Sequence, residues 1–304
     1  MSAALNLRGE LRVKEPMSRH VSWRAGGPAD RYYRPADTAD LAEFLRRLPA
    51  DEPILWLGLG SNLLVRDGGF RGTVIGLHGV LDHIATLADE HEGEGRLRVE
   101  AGVHCARLAK YCAQQGLGGA AFFAGIPGTV GGALAMNAGA WGGETWQRVK
   151  RVEVMNRCGE LQALSAEAFQ ISYRTVKGPV PDLCFIAAEM RFSRDAEARG
   201  REEIRDLLAQ RREKQPVGQP SCGSVFRNPP GDHAARLIES AGLKGKRIGD
   251  AVVSVKHANF ILNSGEARAD HIEDLMHEVR AAVQRLHGVE LEPEVRIVGE
   301  RGRA

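Results

Sequence analysis

The spacing of hydrophobic residues predicts alternating helices and strands in the first half of the chain. A helix is expected over 38–48, because leucine and phenylalanine recur there at helical intervals behind an Asp-Thr pair that can cap the helix. A second helix is expected to run through Leu108 and Tyr111. Short apolar or alternating runs predict strands at 54–57, 73–77 and 97–101.

The second half shows the same mixture of elements. The runs 151–155 and 160–164 flank an Asn-Arg-Cys-Gly turn and predict a hairpin. The stretch 195–214 is densely charged, but Ile204, Leu207 and Leu208 keep helical spacing, so a solvated helix that links two domains is expected. The remaining expected elements are a strand at 183–192, helices at 233–241 and 270–286, and strands near 251–254, 259–263 and 289–298.

The composition describes a globular protein without an electrostatic bias toward polyanions. A length of 304 residues and a hydrophobic content of 43% allow two or three domains with buried cores. The 41 basic and 39 acidic residues leave a formal charge of +2, which is too balanced for nucleic-acid binding by bulk charge. We therefore expect no nucleic-acid partner, whereas a small anionic ligand stays open.

The cysteines and histidines indicate neither a disulfide framework nor a metal site. Five cysteines lack C-x-x-C spacing, and the ten histidines show no H-E-x-x-H pattern. The N-terminal residues carry scattered charges and no apolar run of the secretory kind. A reducing cytoplasmic location and the absence of a bound metal are expected.

One uncharged segment, 117–143, is long enough to span a bilayer but does not have the composition of a membrane helix. It contains nine glycines and a proline, which favour close approach of the backbone to a bulky ligand. No membrane contact is therefore expected.

Two glycine-rich loops are the strongest chemical signal in the chain. GLGSN (58–62) follows an expected strand, and GIPGTVGG (125–132) has glycine at every third position. Neither matches the Rossmann fingerprint, and no Walker sequence occurs. Backbone amides of such loops can surround a pyrophosphate, so the pair favours a bound dinucleotide. A simple turn, or tight packing of a helix on a sheet, is the alternative for either loop alone.

A set of ordered segments resembles the UDP-N-acetylenolpyruvoylglucosamine reductase family from about residue 18 to the end. The segments are WRAGGPAD (23–30), GLGSNLLVRDGGFRG (58–72), AGIPGTVGGALAMNAGAWG (124–142), SYR (172–174), GSVFRNP (223–229), AARLIESAGLKG (234–245), KHANFILN (256–263) and LEPEVRIVG (291–299).

The resemblance implies an α+β protein with a two-subdomain FAD-binding fold of the vanillyl-alcohol-oxidase type and a C-terminal α/β substrate domain. The expected boundaries are 1–80, 81–196 and 197–304, and the last strand and tail are allowed to pack on the first subdomain. It also implies noncovalent FAD, NADPH as reductant, and a UDP-sugar enolpyruvate that is reduced to UDP-N-acetylmuramate in peptidoglycan synthesis. A monomer is expected.

The resemblance carries the catalytic roles to Arg174, Ser224 and Glu294. Ser224 matches the family's proton donor, with Ser221 as its neighbouring competitor. Arg174 would stabilise the enediolate that follows hydride transfer, through charge-assisted hydrogen bonds. Glu294 would orient Arg174 or hold a proton. Without the resemblance, a surface arginine and a glutamate at the end of a strand are the better interpretations.

Further binding residues follow from the same segments. The expected FAD-binding residues are Gly58, Gly60, Ser61, Asn62, Leu63, Gly125, Ile126, Pro127, Gly128, Thr129, Gly131, Asn137 and Gly139. The expected substrate-binding residues are Tyr173, Lys214, Asn228 and His257. A structural histidine is the alternative for the last of these.

Two departures from the family pattern qualify the resemblance. Between SYR and the charged helix there is no room for the tyrosine-bearing loop of some members, which indicates the shorter subclass. Cys222 stands where a small residue is usual, and a buried spacer is expected there.

Three other functions fit the sequence less well than the reductase. A flavin oxidase with covalent FAD is disfavoured because the glycine loops hold neither histidine nor cysteine. A binding module without chemistry would not need the three catalytic side chains together. A serine hydrolase is disfavoured because Ser224 is not within G-x-S-x-G.

Overall fold

The structure is a computed structural model and describes residues 7–195 and 199–302. These residues form two compact units. The first unit contains the residues up to Arg12, Tyr32–Gly58 and Val74–Gln210, and the second contains Val13–Arg31, Leu59–Thr73 and the residues from Arg211 onward. The expected three domains stay a prediction, and their border at 196/197 lies outside the described residues.

The α-helices of the described residues are α1 (Thr38–Arg47), α2 (Cys105–Gln114), α3 (Val130–Ala135), α4 (Gly200–Lys214), α5 (Ala234–Ser240) and α6 (Ala269–His287). The strands are β1 (Glu10–Pro16), β2 (Pro28–Arg34), β3 (Ile54–Leu57), β4 (Leu63–Val65), β5 (Phe70–Gly76), β6 (Ile84–Leu87), β7 (Glu94–Glu100), β8 (Leu117–Gly118), β9 (Gly139–Ala140), β10 (Gly143–Glu144), β11 (Val149–Met155), β12 (Leu161–Ser165), β13 (Gln170–Ser172), β14 (Thr175–Lys177), β15 (Cys184–Arg194), β16 (Arg247–Ile248), β17 (Ala251–Val253), β18 (Ile261–Asn263) and β19 (Arg296–Val298). A four-stranded sheet has the order β1-β2-β5-β3.

The first unit is built on a six-stranded antiparallel sheet with the order β12-β11-β15-β7-β6, in which β8 pairs with β15. Strand β7 shows why the sequence folds this way, since Leu97 and Val99 alternate with charged residues and are fully buried on one face. On the other face, Arg98 donates to Glu153 on β11 at 2.7 Å. The alternating pattern therefore gives one face to the core and the other to ion pairs.

Helix α4 is mostly exposed, as the charged sequence predicts, but one residue joins the core of the first unit. Ile204 is 8% exposed and belongs to the same hydrophobic cluster as Leu108 and Phe123. Leu208 packs against that cluster from a partly buried position. The apolar residues of this charged stretch therefore indicate both a helix and the side of it that packs against the core of the first unit.

The second unit has its own hydrophobic core, formed around α6. This helix buries Ile272, Leu275 and Val279 along one side, and it ends at Gly288, whose φ of 68° allows the left-handed cap. Strands β16, β17 and β18 form an antiparallel sheet, and β19 pairs in parallel with β4.

An ion pair with a buried carboxylate joins the residue after β4 to α6 within this unit. The Arg66 guanidinium donates from Nε and Nη2 to the two carboxylate oxygens of Glu273, both at 2.9 Å. Its Nη1 donates to the Gly299 carbonyl at 3.1 Å. Glu273 is 3% exposed, and the hydrogen bond from Arg66 holds its pKa below the ordinary value.

Most of the expected elements are confirmed, with shifts at their ends. Helix α1 ends at Arg47, one residue early, and the 151–155/160–164 hairpin is confirmed as β11 and β12. The strand expected at 289–298 is wrong in length, because only Arg296–Val298 is regular. Pro293 has no N–H to donate and forms only an isolated bridge. No helix within 7–195 or 199–302 is long and apolar enough to cross a membrane.

Replacing Glu273 tests how much its ion pair with Arg66 contributes to the stability of the fold. We expect Glu273→Gln to lower the free energy of unfolding by about 2 kcal/mol at pH 7, because Arg66 loses its charged partner. The loss should shrink as the pH falls below about 4.3, the pKa of an unfolded glutamate, since a carboxyl group with a depressed folded-state pKa stabilises only while ionised. Urea unfolding at several pH values measures both effects.

Glu278→Gln on the same helix is the matched control. Glu278 pairs with Lys246 at 3.0 Å, but both side chains are about half exposed. This variant should therefore lower the free energy of unfolding by less than about 1 kcal/mol. Equal losses for both variants would contradict a special role of the Arg66 pair.

Candidate functional site

The second glycine loop, 125–131, is held in the first unit by the segment that precedes α2. Val130 N donates to Val103 O, and Gly131 N donates to Ala101 O, both at 2.8 Å. A Cβ on Gly131 would lie 2.9 Å from the Ala101 Cβ, so the close approach of the two segments requires glycine there.

The first glycine loop begins in the same unit and meets the second loop at Thr129. A Cβ on Gly58 would lie 2.5 Å from the Thr129 hydroxyl oxygen, which is closer than real Cβ contacts. Thr129 is 2% exposed, and its hydroxyl accepts from Gly132 N at 3.4 Å to cap α3. The small size of Gly58 therefore allows the two loops to approach each other.

Arg174 lies in the first unit, in the turn between β13 and β14. Its backbone has a φ of 53°, which is rare for a non-glycine residue. The guanidinium donates to Asn137 O at 3.3 Å and to Gly139 O at 3.0 Å. The catalytic candidate is thus tied to a segment that was itself expected to bind FAD.

The Asn137 side chain has a structural role. It is 1% exposed, its Nδ2 donates to Glu144 at 2.9 Å, and its Oδ1 accepts from Trp146 N at 3.1 Å. Tyr173, by contrast, is 46% exposed, and its ring lies 5.2 Å from the Arg174 guanidinium carbon.

In the second unit, residues 59–62 form the rest of the GLGSN loop, and Leu63 is the first residue of β4. Gly60 has a φ of 61° and its carbonyl accepts from Ser22 N at 3.1 Å. Ser61 is partly exposed, whereas the Leu63 side chain is buried. The expected FAD contact of Leu63 stays a prediction.

Ser224 and Glu294 lie in backbone segments that pair with each other in the second unit. Glu294 N donates to Val225 O at 2.8 Å, and Arg227 N donates to Glu292 O at 2.9 Å. Both catalytic candidates are partly buried. The pairing brings together two backbone segments whose catalytic candidates are 70 positions apart in the sequence.

Two asparagines fix this pair of segments. Asn259 is 2% exposed, and its side chain accepts from Phe226 N at 3.0 Å and donates to Phe226 O at 2.8 Å. Asn62 donates from Nδ2 to the Glu294 carbonyl at 3.0 Å. The Phe226 backbone, two residues after Ser224, and the Glu294 carbonyl are therefore each held by an asparagine side chain.

The expected substrate-binding residues of the second unit differ in their surroundings. Lys214 is exposed at the end of α4. Asn228 accepts through Oδ1 from Ala234 N at 3.1 Å, at the start of α5. Burial lowers the pKa of His257, and none of the hydrogen bonds found among the described residues satisfies its buried Nδ1.

Cys222 is a buried spacer beside the GLGSN loop, as expected. Its Sγ lies 3.6 Å from Gly60 O and 3.4 Å from Leu63 O. Burial raises the pKa of the thiol to about 12, so it stays protonated near pH 7.

The residues of the two loops fit a flavin nucleotide. Residues 125–131 contain no charged side chain, so an anion there would be bound by uncharged groups. The missing Cβ atoms at Gly58 and Gly131 give the closely packed backbone that such a loop requires. The expected FAD-binding residues otherwise stay a prediction.

Comparison with known proteins agrees with this interpretation. The family described as "UDP-N-acetylenolpyruvoylglucosamine reductase, C-terminal domain" matches residues 215–298, and the one described as "FAD binding domain" matches residues 29–165. A UDP-N-acetylenolpyruvoylglucosamine reductase of Alkalilimnicola ehrlichii is 60% identical over 293 residues, which is 96% of each chain.

This chain belongs to the UDP-N-acetylenolpyruvoylglucosamine reductase family. A second member, from Coxiella burnetii, is 54% identical and covers 96% of this chain and 97% of its own. The crystal structure of the Thermus caldophilus member is 31% identical, with a TM-score of 0.79 over 95% of this chain and 98% of that one.

The expected fold class is confirmed by these matches. The fold is also shared by 6-hydroxy-D-nicotine oxidase of Arthrobacter nicotinovorans, with a TM-score of 0.57, 13% identity and coverage of 96% of this chain and 90% of that one. As a member of the reductase family with a matched FAD-binding domain, the chain is an FAD-dependent oxidoreductase of peptidoglycan synthesis.

Sequence reasoning missed several residues that organise the site. The sequence placed Asn259 only in a segment that resembles the family, and it marked Asn62 only as an FAD-binding residue, whereas both side chains hold backbone in place. It also left Trp141 without a role. An asparagine flanked by apolar residues, such as Asn259 between Ala258 and Phe260, was the available signal for a buried backbone anchor.

The contact between the loops predicts the effect of enlarging Gly58. We expect Gly58→Ala to weaken FAD binding at least about 10-fold, because the new methyl group displaces Thr129 in the second loop. Gly132→Ala is the matched control, since its Cβ would lie 3.7 Å from the same hydroxyl, an ordinary contact. Titration of the apoprotein with FAD gives both dissociation constants. Equal FAD dissociation constants for the two variants would contradict a role of the Gly58–Thr129 contact in FAD binding.

The burial of the thiols predicts that only one cysteine reacts rapidly with a thiol reagent. Cys105, Cys112, Cys184 and Cys222 are buried, whereas Cys158 is exposed. A thiol reagent should modify one group rapidly in the native protein, and Cys158→Ser should remove that phase. A fast phase that persists in this variant would show that a buried thiol is accessible.

Proposed function

We propose that this chain catalyses the NADPH-dependent reduction of UDP-N-acetylglucosamine enolpyruvate to UDP-N-acetylmuramate. Family membership supports the substrate class. The observation that carries the chemistry is the backbone pairing that holds Ser224 and Glu294 in adjacent segments. Bound FAD would supply the hydride that originates from NADPH, and noncovalent binding fits loops without histidine or cysteine.

Arg174 stabilises the negative charge that develops on the substrate after hydride addition. Addition at the terminal carbon of the enolpyruvyl double bond leaves an enediolate at the carboxylate end, and a guanidinium can bind both of its oxygens. The acceptors at Asn137 O and Gly139 O carry no formal charge. Those two bonds therefore orient the guanidinium without neutralising it.

Ser224 donates the proton that completes the reduction. Its hydroxyl transfers a proton to the carbon beside the carboxylate, and the electron pair of the enediolate forms the new C–H bond. A serine hydroxyl is a weak acid, so a neighbouring group must help to restore its proton. Glu294, in the segment paired with that of Ser224, takes this part.

The remaining substrate contacts are assigned by chemistry. The exposed Lys214 ammonium binds the pyrophosphate as a point charge. The Asn228 side chain keeps its Nδ2 for the nucleotide while Oδ1 holds the start of α5. Burial lowers the pKa of His257, which favours the neutral imidazole, so this residue would contact a neutral group of the substrate.

The cysteines support a reducing, cytoplasmic location. All five are free thiols in the structure, and four of them are buried. NADPH and a nucleotide sugar are compatible with that compartment.

A single substitution separates the proton-transfer step from flavin reduction. We expect Ser224→Ala to leave anaerobic flavin reduction by NADPH unchanged and to slow reoxidation by the enolpyruvyl substrate by about 10²- to 10⁴-fold, the usual contribution of a positioned acid. Stopped-flow absorbance of the flavin follows both half-reactions.

Ser221→Ala is the matched control, because it removes the neighbouring hydroxyl that competes for the same role. In this variant, the enolpyruvyl substrate should reoxidise the flavin at close to the rate of the unsubstituted protein. An equal loss of both half-reactions in Ser224→Ala, or a larger loss in Ser221→Ala, would refute the assignment of Ser224.

A further inference from the structure

Trp141 occupies an unusual place in the first unit. It lies with Gly142 at the turn between β9 and β10, where the strand register leaves two residues in the loop. Their φ values are 48° and 82°, the pattern of a type I′ turn. Asparagine and glycine favour such a position, whereas a bulky aromatic residue there is uncommon. The turn itself therefore gives no reason for tryptophan.

The indole lies directly against the second glycine loop. A Cβ on Gly125 would be 1.8 Å from Cζ3 and 2.5 Å from Cη2 of Trp141. The ring thus takes the space of a side chain at Gly125. The residue is nevertheless 41% exposed, so much of the aromatic surface is left uncovered.

The frame around this turn is rigid. The buried Asn137 side chain bonds Glu144 and Trp146 N, and Arg174 donates to Gly139 O. These contacts fix both ends of the hairpin that presents Trp141. The same frame orients the proposed catalytic arginine.

We propose that Trp141 is an additional residue of the flavin site and that its exposed indole packs against the ring system of bound FAD. A large, rigid aromatic surface beside the loop that binds the cofactor is suited to stacking on a planar ring. A backbone conformation that is unfavourable for its side chain is commonly found where a ligand is bound. The inference rests on the FAD assignment and is independent of NADPH and of the UDP-sugar.

Substitution by asparagine separates a ligand role from a structural one. Trp141→Asn suits the turn better, so the apoprotein should melt at the same or a higher temperature. FAD binding should nevertheless weaken by about 2- to 13-fold, the range expected for one aromatic stacking contact. Equilibrium dialysis of the apoprotein with FAD measures this constant without any turnover.

Flavin emission gives the second readout, because an indole in contact with the flavin ring quenches its fluorescence. Bound FAD should be brighter in both Trp141→Asn and Trp141→Phe, while Trp141→Phe should keep nearly the original affinity. Leu161→Asn, which replaces another exposed hydrophobic residue of this unit, is the control and should change neither quantity.

The proposal is overturned if Trp141→Asn binds FAD with the original affinity and equally dim emission. Should that variant not fold, an unchanged bound emission in Trp141→Phe overturns it equally. An affinity loss that comes only with a lower melting temperature, without brighter flavin, would assign Trp141 a structural role and also contradict the proposal.

Discussion

The pairing between the segment that carries Ser224 and the segment that carries Glu294 is the interaction on which the candidate chemistry of the second unit depends. The two segments are far apart in sequence, and their backbone groups are partly buried, so each unpaired N–H or C=O would be costly. Asn259 satisfies both backbone groups of Phe226, and Asn62 satisfies the Glu294 carbonyl. Hydrogen-bond satisfaction therefore fixes the backbone of the two segments that carry the catalytic candidates.

Close approach of backbone segments plays the corresponding part in the first unit. Gly58, Gly125 and Gly131 each stand where a Cβ would meet Thr129, Trp141 or Ala101. These contacts leave the loops no freedom to carry larger residues. Arg174 is oriented by carbonyls of the segment that follows the second loop, so the position of this candidate catalytic cation depends on the geometry of the same loop region.

The sequence was sufficient for those features that are local. Helical spacing located α1 and α6 within one residue at each end, and the glycine loops indicated a bound dinucleotide, which agrees with the matched FAD-binding domain. Local patterns failed where Pro293 limits a strand to an isolated bridge. They also could not reveal contacts such as Arg66 with Glu273, because those residues are 207 positions apart and nothing in their own neighbourhoods marks them as partners.

The central claim is that one flavin passes reducing equivalents from NADPH to an enolpyruvyl sugar nucleotide. The most direct test is the absorbance of the purified holoenzyme under anaerobic conditions, first with NADPH and then with UDP-N-acetylglucosamine enolpyruvate. The account predicts that the yellow flavin bleaches with NADPH and regains its colour when the sugar nucleotide is added. A flavin that bleaches but stays reduced in the presence of the sugar nucleotide would contradict it.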